Sequence, residues 1–219
     1  MVSAILLVDA SPDTILQFHD QLSNELPTLR GKWSFSLKVF RSNPYSYTNN
    51  NQSESKFLHT LTLSYLPETT VTLVDKNSSG IFTNALEENS YRATALKFPE
   101  SHLHKGATSG FNDPFDSIVN SKLQSLWLQK QNIKGDGGHI YELEGGSLII
   151  RTSNIFLHGI FKGLLIQMES TSITNPDDIH RVLQKYAIPA GNLCNKVLDK
   201  TNLDQYGDLC LQYAEILNF

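Results

Sequence analysis

Glu142 and Glu144 stand two apart in a stretch that alternates like a strand, an arrangement that turns two carboxylates to one face. In a closed barrel that face could be the lumen, where glutamates from several strands can hold a divalent cation. Hard cations take about six oxygen ligands, and the sequence offers no second Glu-x-Glu. The pair reads instead as surface carboxylates beside a turn. Glu87-Glu88 is adjacent, hence split between faces if extended. His102-Leu103-His104 has no Cys, Asp or Glu at ligand spacing, and metal ligation needs three or four converging donors. Gly135-Asp136-Gly137-Gly138 lacks the order of a phosphate loop and is followed by a strand pattern, so a hairpin turn is expected there. Ser53-Glu54-Ser55-Lys56 has the spacing of a Ser/Lys acyl-transfer pair but lies in an Asn/Ser tract with no rigid support. No GxSxG elbow is present. Residue chemistry therefore nominates no catalytic residue, metal ligand or cofactor site.

The elements around these residues are mostly strands. Val2–Val8 is apolar on both faces, as in a strand covered on both sides. Ser11, Pro12 and Asp13 form a helix start, and Ile15, Phe18, Leu22 and Leu26 follow at helical spacing until Pro27. Trp33–Phe40 alternates with one wet face. Phe57–Tyr65 and Thr70–Val74, joined around Pro67-Glu68, predict a hairpin. Ile81–Thr83 and Arg92–Phe98 are weaker strands. A short helix after Asp113-Pro114 carries Phe115, Ile118, Val119 and Leu123 on one side. Three strands are then expected over 126–133, 139–144 and 147–155, separated by Gly135–Gly138 and Glu144–Gly146, with a fourth over 160–169. A helix capped by Asn175-Pro176 carries Ile179, Val182, Leu183 and Tyr186, with His180 on its exposed side. A last helix carries Tyr206, Leu209, Cys210, Tyr213 and Leu217. Polar tracts 43–56 and 99–112 read as mobile loops. The expectation is a single domain, 1–219, of class α+β: a mainly antiparallel, incomplete β-barrel-like sheet with flanking helices.

Composition narrows the classes further. With 22 acidic against 18 basic residues the chain lacks the charge of an autonomous nucleic-acid binder. No apolar run approaches the ~20 residues needed to span a bilayer, and Val2–Val8 is too short and unflanked for a signal peptide. Cys194 and Cys210 make neither a disulfide framework nor a ligand cluster, so a reducing compartment is expected.

The tract 113–169 resembles the Mediator complex subunit 20 family. The resemblance lies in Ser121-Lys122-Leu123, in Leu126-Trp127-Leu128-Gln129-Lys130-Gln131, in Ile133-Lys134-Gly135-Asp136-Gly137-Gly138, and in Phe161-Lys162-Gly163-Leu164-Leu165-Ile166. Trp-x-Gln-x-Gln followed by Ile-Lys-Gly-Asp is its most specific piece. Looser similarity reaches the N-terminal strand and helix, the Trp33 strand and Gln212-Tyr213, but not 43–56 or 99–112. The resemblance implies a non-enzymatic coactivator subunit of the nucleus, without cofactor, in an incomplete antiparallel barrel. It implies pairing with Mediator subunit 18, tethering to the head module through subunit 8, and placement near RNA polymerase II and the TATA-binding protein. Barrels of this kind are similar to those of metal-dependent RNA triphosphatases, which use paired Glu-x-Glu strands; the lone Glu142/Glu144 pair departs from that arrangement.

An adaptor of this kind needs an apolar, sparsely charged surface burying about 1,600 Å² with its partner. The candidate interface residues are Trp127, Gln129, Gln131 and Phe161, with Trp127 reading equally well as core. Two other classes stay open on residues alone: a metal-dependent phosphohydrolase of the RNA-triphosphatase type, and a standalone ligand-binding barrel.

Overall fold

The computed structural model describes residues 2–8, 11–46, 55–76, 78–83, 115–172, 178, 181–182, 192–193 and 205–219. Nine strands lie among them: β1 Val2–Val8, β2 Thr28–Ser42, β3 Phe57–Leu63, β4 Thr69–Val74, β5 Ser78–Thr83, β6 Trp127–Leu143, β7 Leu148–Leu157, β8 Ile160–Ser170 and β9 Asn192–Leu193. Three helices accompany them: α1 Pro12–Asn24, α2 Phe115–Lys122 and α3 Gln205–Ile216. The chain forms two compact units, to both of which β2, β6 and α3 contribute residues.

Unit 1 comprises Met1–Phe35, Ile133–Val197 and Leu211–Phe219. Its strand order is β6-β7-β8-β1-β9, with β6–β7, β7–β8, β8–β1 and β1–β9 all antiparallel. The two-faced apolar pattern of β1 has a direct cause. Ala4, Leu6 and Val8 meet Phe18 and Leu22 of α1, together with Ile150, Leu164, Ile166 and Met168 of the neighbouring strands. The opposite set, Ile5 and Leu7 with Leu165 and Gln167 across the ladder, is also fully enclosed. The carboxyl end of α3 meets this face: the Tyr213 hydroxyl donates to Gln167 Oε1 at 2.8 Å. A strand wrapped on both faces has no wet side to reserve for polar residues.

Helix α1 begins at Ser11-Pro12 as its sequence predicts, but the Ser11 side chain makes no capping hydrogen bond. The helix ends at Asn24. Leu26, expected on its apolar stripe, lies beyond the end at φ 51° and is 88% exposed.

Unit 2 comprises Ser36–Asn132 and Leu198–Cys210, with strand order β5-β4-β3-β2-β6. The expected hairpin is present: β3 and β4 pair from Leu58↔Val74 to Thr62↔Thr70, and β5 adds to the far side of β4. Burial departs from simple alternation, since Leu58, His59, Thr60 and Leu61 are all buried. Phe40, Leu58 and Val119 form a small core against which Val74, Phe115, Leu123 and Trp127 pack. The rings of Phe82 and Phe115 stack at 4.0 Å, fixing α2 to β5. Both ends of the 43–56 tract are tied down: Ser42 N–H donates to Lys56 C=O at 2.8 Å, and Lys56 N–H donates to Ser42 Oγ. Among the described residues β5 and β9 have one strand neighbour each, so the strand order is open, and the fold is the expected mainly antiparallel α+β sheet with flanking helices.

One expectation is overturned. The segments 126–133 and 139–144 are a single seventeen-residue strand, β6, and Gly135–Gly138 is no hairpin turn. The register with β7 shifts between Asp136 and His139: Asp136 faces Asn154 and His139 faces Thr152, so Gly137 and Gly138 oppose Ser153 alone. This is a β-bulge with Gly137 at φ 64°, the left-handed residue that such a bulge requires. Glycine with positive φ serves a bulge as well as a turn, and sequence alone cannot separate the two uses. The expected strands 92–98, the loop 99–112, the Asp113-Pro114 cap, His102, His104, His180 and most of the helix after Asn175 lie outside the described residues.

Candidate partner-docking surface

The glycine string is a packing device. A side chain at Gly135 would overlap the Phe35 ring and Ser153 Oγ. A Cβ at Gly138 would stand 2.6 Å from Trp33 C=O and 2.7 Å from its indole nitrogen. The missing side chains let Trp33 and Phe35 of β2 lie flat against β6. Trp33 Nε1 donates to Thr152 C=O at 2.8 Å, the two rings stack at 5.7 Å, and Phe35 meets Tyr213 edge-on at 4.9 Å. Ile133, Gly135 and Gly138 thus belong to the interior of unit 1, while Lys134, Asp136 and Gly137 between them are exposed.

The two glutamates do not share a face. Glu142 lies on β6, where the Arg30 guanidinium of β2 grips its carboxylate through both Nε and Nη2. That hydrogen bonding holds the Glu142 carboxyl below the usual carboxylate range and raises Arg30. Glu144 has left the strand: it opens a short 3-10 turn at φ 52°, and its Oε2 accepts from Ser147 Oγ. The expectation of two carboxylates on one strand face is corrected accordingly; the turn begins one residue after β6 ends. A carboxylate that sequence reading passed over, Glu169 of β8, is buried and paired with Arg151 of β7. Among the described residues no group of three or more His, Cys, Asp or Glu side chains could hold a metal ion.

Of the candidate interface residues, Trp127, Gln129 and Gln131 alternate along the first part of β6 and so share one strand face. Trp127 is half-buried against the Phe40–Leu58–Val119 core, which makes it partly a core residue. Gln129 is exposed, its Oε1 accepting from Asn120 Nδ2 of α2. Phe161 belongs to unit 1, where it sits on β8 cross-strand from Phe156, ring centroids 5.5 Å apart. The reading missed several exposed apolar residues. Leu126 and Leu128 are each 44% exposed beside Trp127. Ile160 is 62% exposed at the β7–β8 turn and Phe156 is partly exposed next to it. The available signal was parity: in a strand that buries the Trp127 face, Leu128 must point the other way.

Comparison with known proteins decides the family. The model of a family described as the TATA-binding related factor (TRF) of subunit 20 of Mediator complex matches residues 1–218. The chain belongs to the Mediator subunit 20 family. A Debaryomyces hansenii protein named Mediator of RNA polymerase II transcription subunit 20 is 59% identical over the whole of both chains. The Scheffersomyces stipitis protein of that name is 54% identical, again end to end, and that of Eremothecium gossypii 37% identical over 99% of this chain and 98% of its own. Solved structures are far more distant. A conserved hypothetical protein from Pyrococcus furiosus aligns over 93% of this chain and 94% of its own at TM-score 0.41 and 12% identity. A Hippeastrum protein titled as having a dominant triphosphatase activity aligns over 92% and 93% at TM-score 0.40 and 14% identity. Likeness at that level carries no argument about function.

Proposed function

We propose that this chain acts by docking: it is a non-catalytic, nuclear subunit of the Mediator head that heterodimerises with Mediator subunit 18 and helps couple regulators to initiation by RNA polymerase II. The observation that carries the reading is end-to-end similarity to proteins named Mediator subunit 20, at 59% identity for the Debaryomyces hansenii relative. Subunit 8 is its proposed tether to the rest of the head, and polymerase II and the TATA-binding protein are proposed neighbours. The site chemistry favours docking over turnover, because Glu142 is already neutralised by Arg30 and Glu144 lies in a turn. Trp127, Gln129, Gln131 and Phe161 are proposed as contacts with subunit 18. Half-buried aromatic groups of this kind, anchored on one side and open on the other, are common carriers of interface energy. Co-expression with subunit 18 of the same organism tests the reading. Co-elution of the two through successive columns is expected; separate migration at micromolar concentration contradicts it.

A further inference from the structure

β6 is seventeen residues long, yet β7 pairs only with Lys134–Leu143. The shortfall follows from chain length. Lys134 faces Phe156, and β7 ends one residue later at Leu157, where the chain turns back as β8. Within unit 2 the order β5-β4-β3-β2-β6 ends on β6, and among the described residues Trp127–Lys130 have no strand partner besides β2, although the Trp127 N–H already donates to Leu123 C=O at 3.0 Å. An extended backbone edge of this kind offers alternating N–H and C=O groups, a template on which another chain can add a strand.

The side chains around that edge define what it would accept. Leu126 and Leu128 are exposed, as are Gln129 and Lys130. From Ser117 to Asn132 the chain carries two lysines, Lys122 and Lys130, both exposed, and no Asp or Glu, although acids outnumber bases overall by 22 to 18. No salt bridge holds Lys130 among the described residues. The edge is therefore apolar and cationic on an acidic protein. We propose that Trp127–Lys130 is a strand-addition edge, and that its occupant is an extended, acidic segment of subunit 18 whose backbone bonds to β6 and whose carboxylates lie against Lys130. The proposal rests on the heterodimer reading and adds to it the mode of contact and the charge of the donor.

Hydrogen exchange of the full chain, alone and with subunit 18, tests it. On mixing, the amides between Leu128 and Lys130 that face away from β2 are expected to exchange at least tenfold more slowly, while the Trp127 amide, already bonded to Leu123 C=O, changes little. Lys130→Glu should weaken the pair about five- to tenfold without changing the fold, as an exposed substitution, whereas Lys32→Glu on unit 1 should leave affinity unchanged. Co-elution without slowed exchange at these amides, or indifference to Lys130→Glu, overturns strand addition and leaves the heterodimer standing. If the two proteins do not associate, the heterodimer reading fails instead. The edge is then judged with an eight-residue peptide alternating valine and glutamate: slowed exchange at the same amides supports it, and unchanged exchange overturns it.

Discussion

Replacing Gln212 by leucine removes a joint that the fold makes with one side chain. Gln212 lies on α3 and is 2% exposed. Its Oε1 accepts from Ile5 N–H at 3.1 Å and its Nε2 donates to Ser3 C=O at 2.9 Å. Ser3 and Ile5 are two apart on β1, so the amide bonds the same edge of the strand as a neighbouring strand residue would. β9 covers that edge only at Leu6 and Leu7, and Gln212 extends the cover toward the start of β1. Leucine matches the amide closely in size but leaves both backbone groups without this partner. Each buried backbone group left unmet costs about 1–3 kcal/mol, so the pair is worth at most roughly 2–6 kcal/mol, reduced because Ser3 is only half-buried and leucine adds apolar burial. At about 2–4 °C per kcal/mol for a chain of this size, the drop in melting temperature is at least about 4 °C and as much as about 20 °C. Gln212→Glu is the sharper variant, because it keeps an acceptor for Ile5 N–H while turning a carboxylate oxygen toward Ser3 C=O. Thermal and urea melts of both variants measure the effect. A loss under about 1 kcal/mol for both would refute the reasoning that a side chain stands in for a strand here.

Other substitutions probe the same unit. Gly135→Ala should cost about 3 kcal/mol, because the added methyl overlaps the Phe35 ring, and urea melts read it directly. Tyr213→Phe removes the hydroxyl that donates to Gln167 and should cost about 1–2 kcal/mol by the same measurement. His19 supplies a pH signature. Burial first, and then the neighbouring His139, lower its pKa against the opposing pull of Asp20. The unfolded chain therefore binds the proton more readily, and stability should fall as pH drops below about 6.5. His19→Gln should flatten that slope in melts taken between pH 7 and 5. Glu142 is depressed by its hydrogen bonds to Arg30, so its contribution is present above the usual carboxylate pKa and fades as pH falls through the depressed value. In Glu142→Gln, that part of the acid dependence should disappear.

How much of this was legible in the sequence depends on whether one element or two decide the outcome. β1, the start of α1 and the β3–β4 hairpin follow from local pattern, since an apolar run, a Ser-Pro start and two alternating runs around Pro67-Glu68 each carry their own signal. The Gly135–Gly138 bulge did not. Its glycines are explained by Phe35 and Trp33, about a hundred residues away, and short-range pattern contains no trace of them. Glu142 and Glu144 do stand beside a turn, but their placement on one strand face failed by one residue: the strand ends at Leu143, a boundary set by the turn into β7. Among the candidate contacts, Trp127 combined core and surface roles as its type allows, whereas Leu128 points to the opposite face by parity and Ile160 is exposed at the β7–β8 turn. The role of Gln212 was invisible, because a buried glutamine in an apolar helix shows no partner until the strand edge beside it is seen.

Sedimentation equilibrium of the full chain mixed with purified subunit 18 at micromolar concentration bears most directly on whether this fold works by docking. A one-to-one complex that persists on dilution, weakened by Lys130→Glu and unaffected by Glu142→Gln, is the predicted result. Two independently sedimenting species, with nucleotide hydrolysis by the chain alone that Glu142→Gln abolishes, would contradict it.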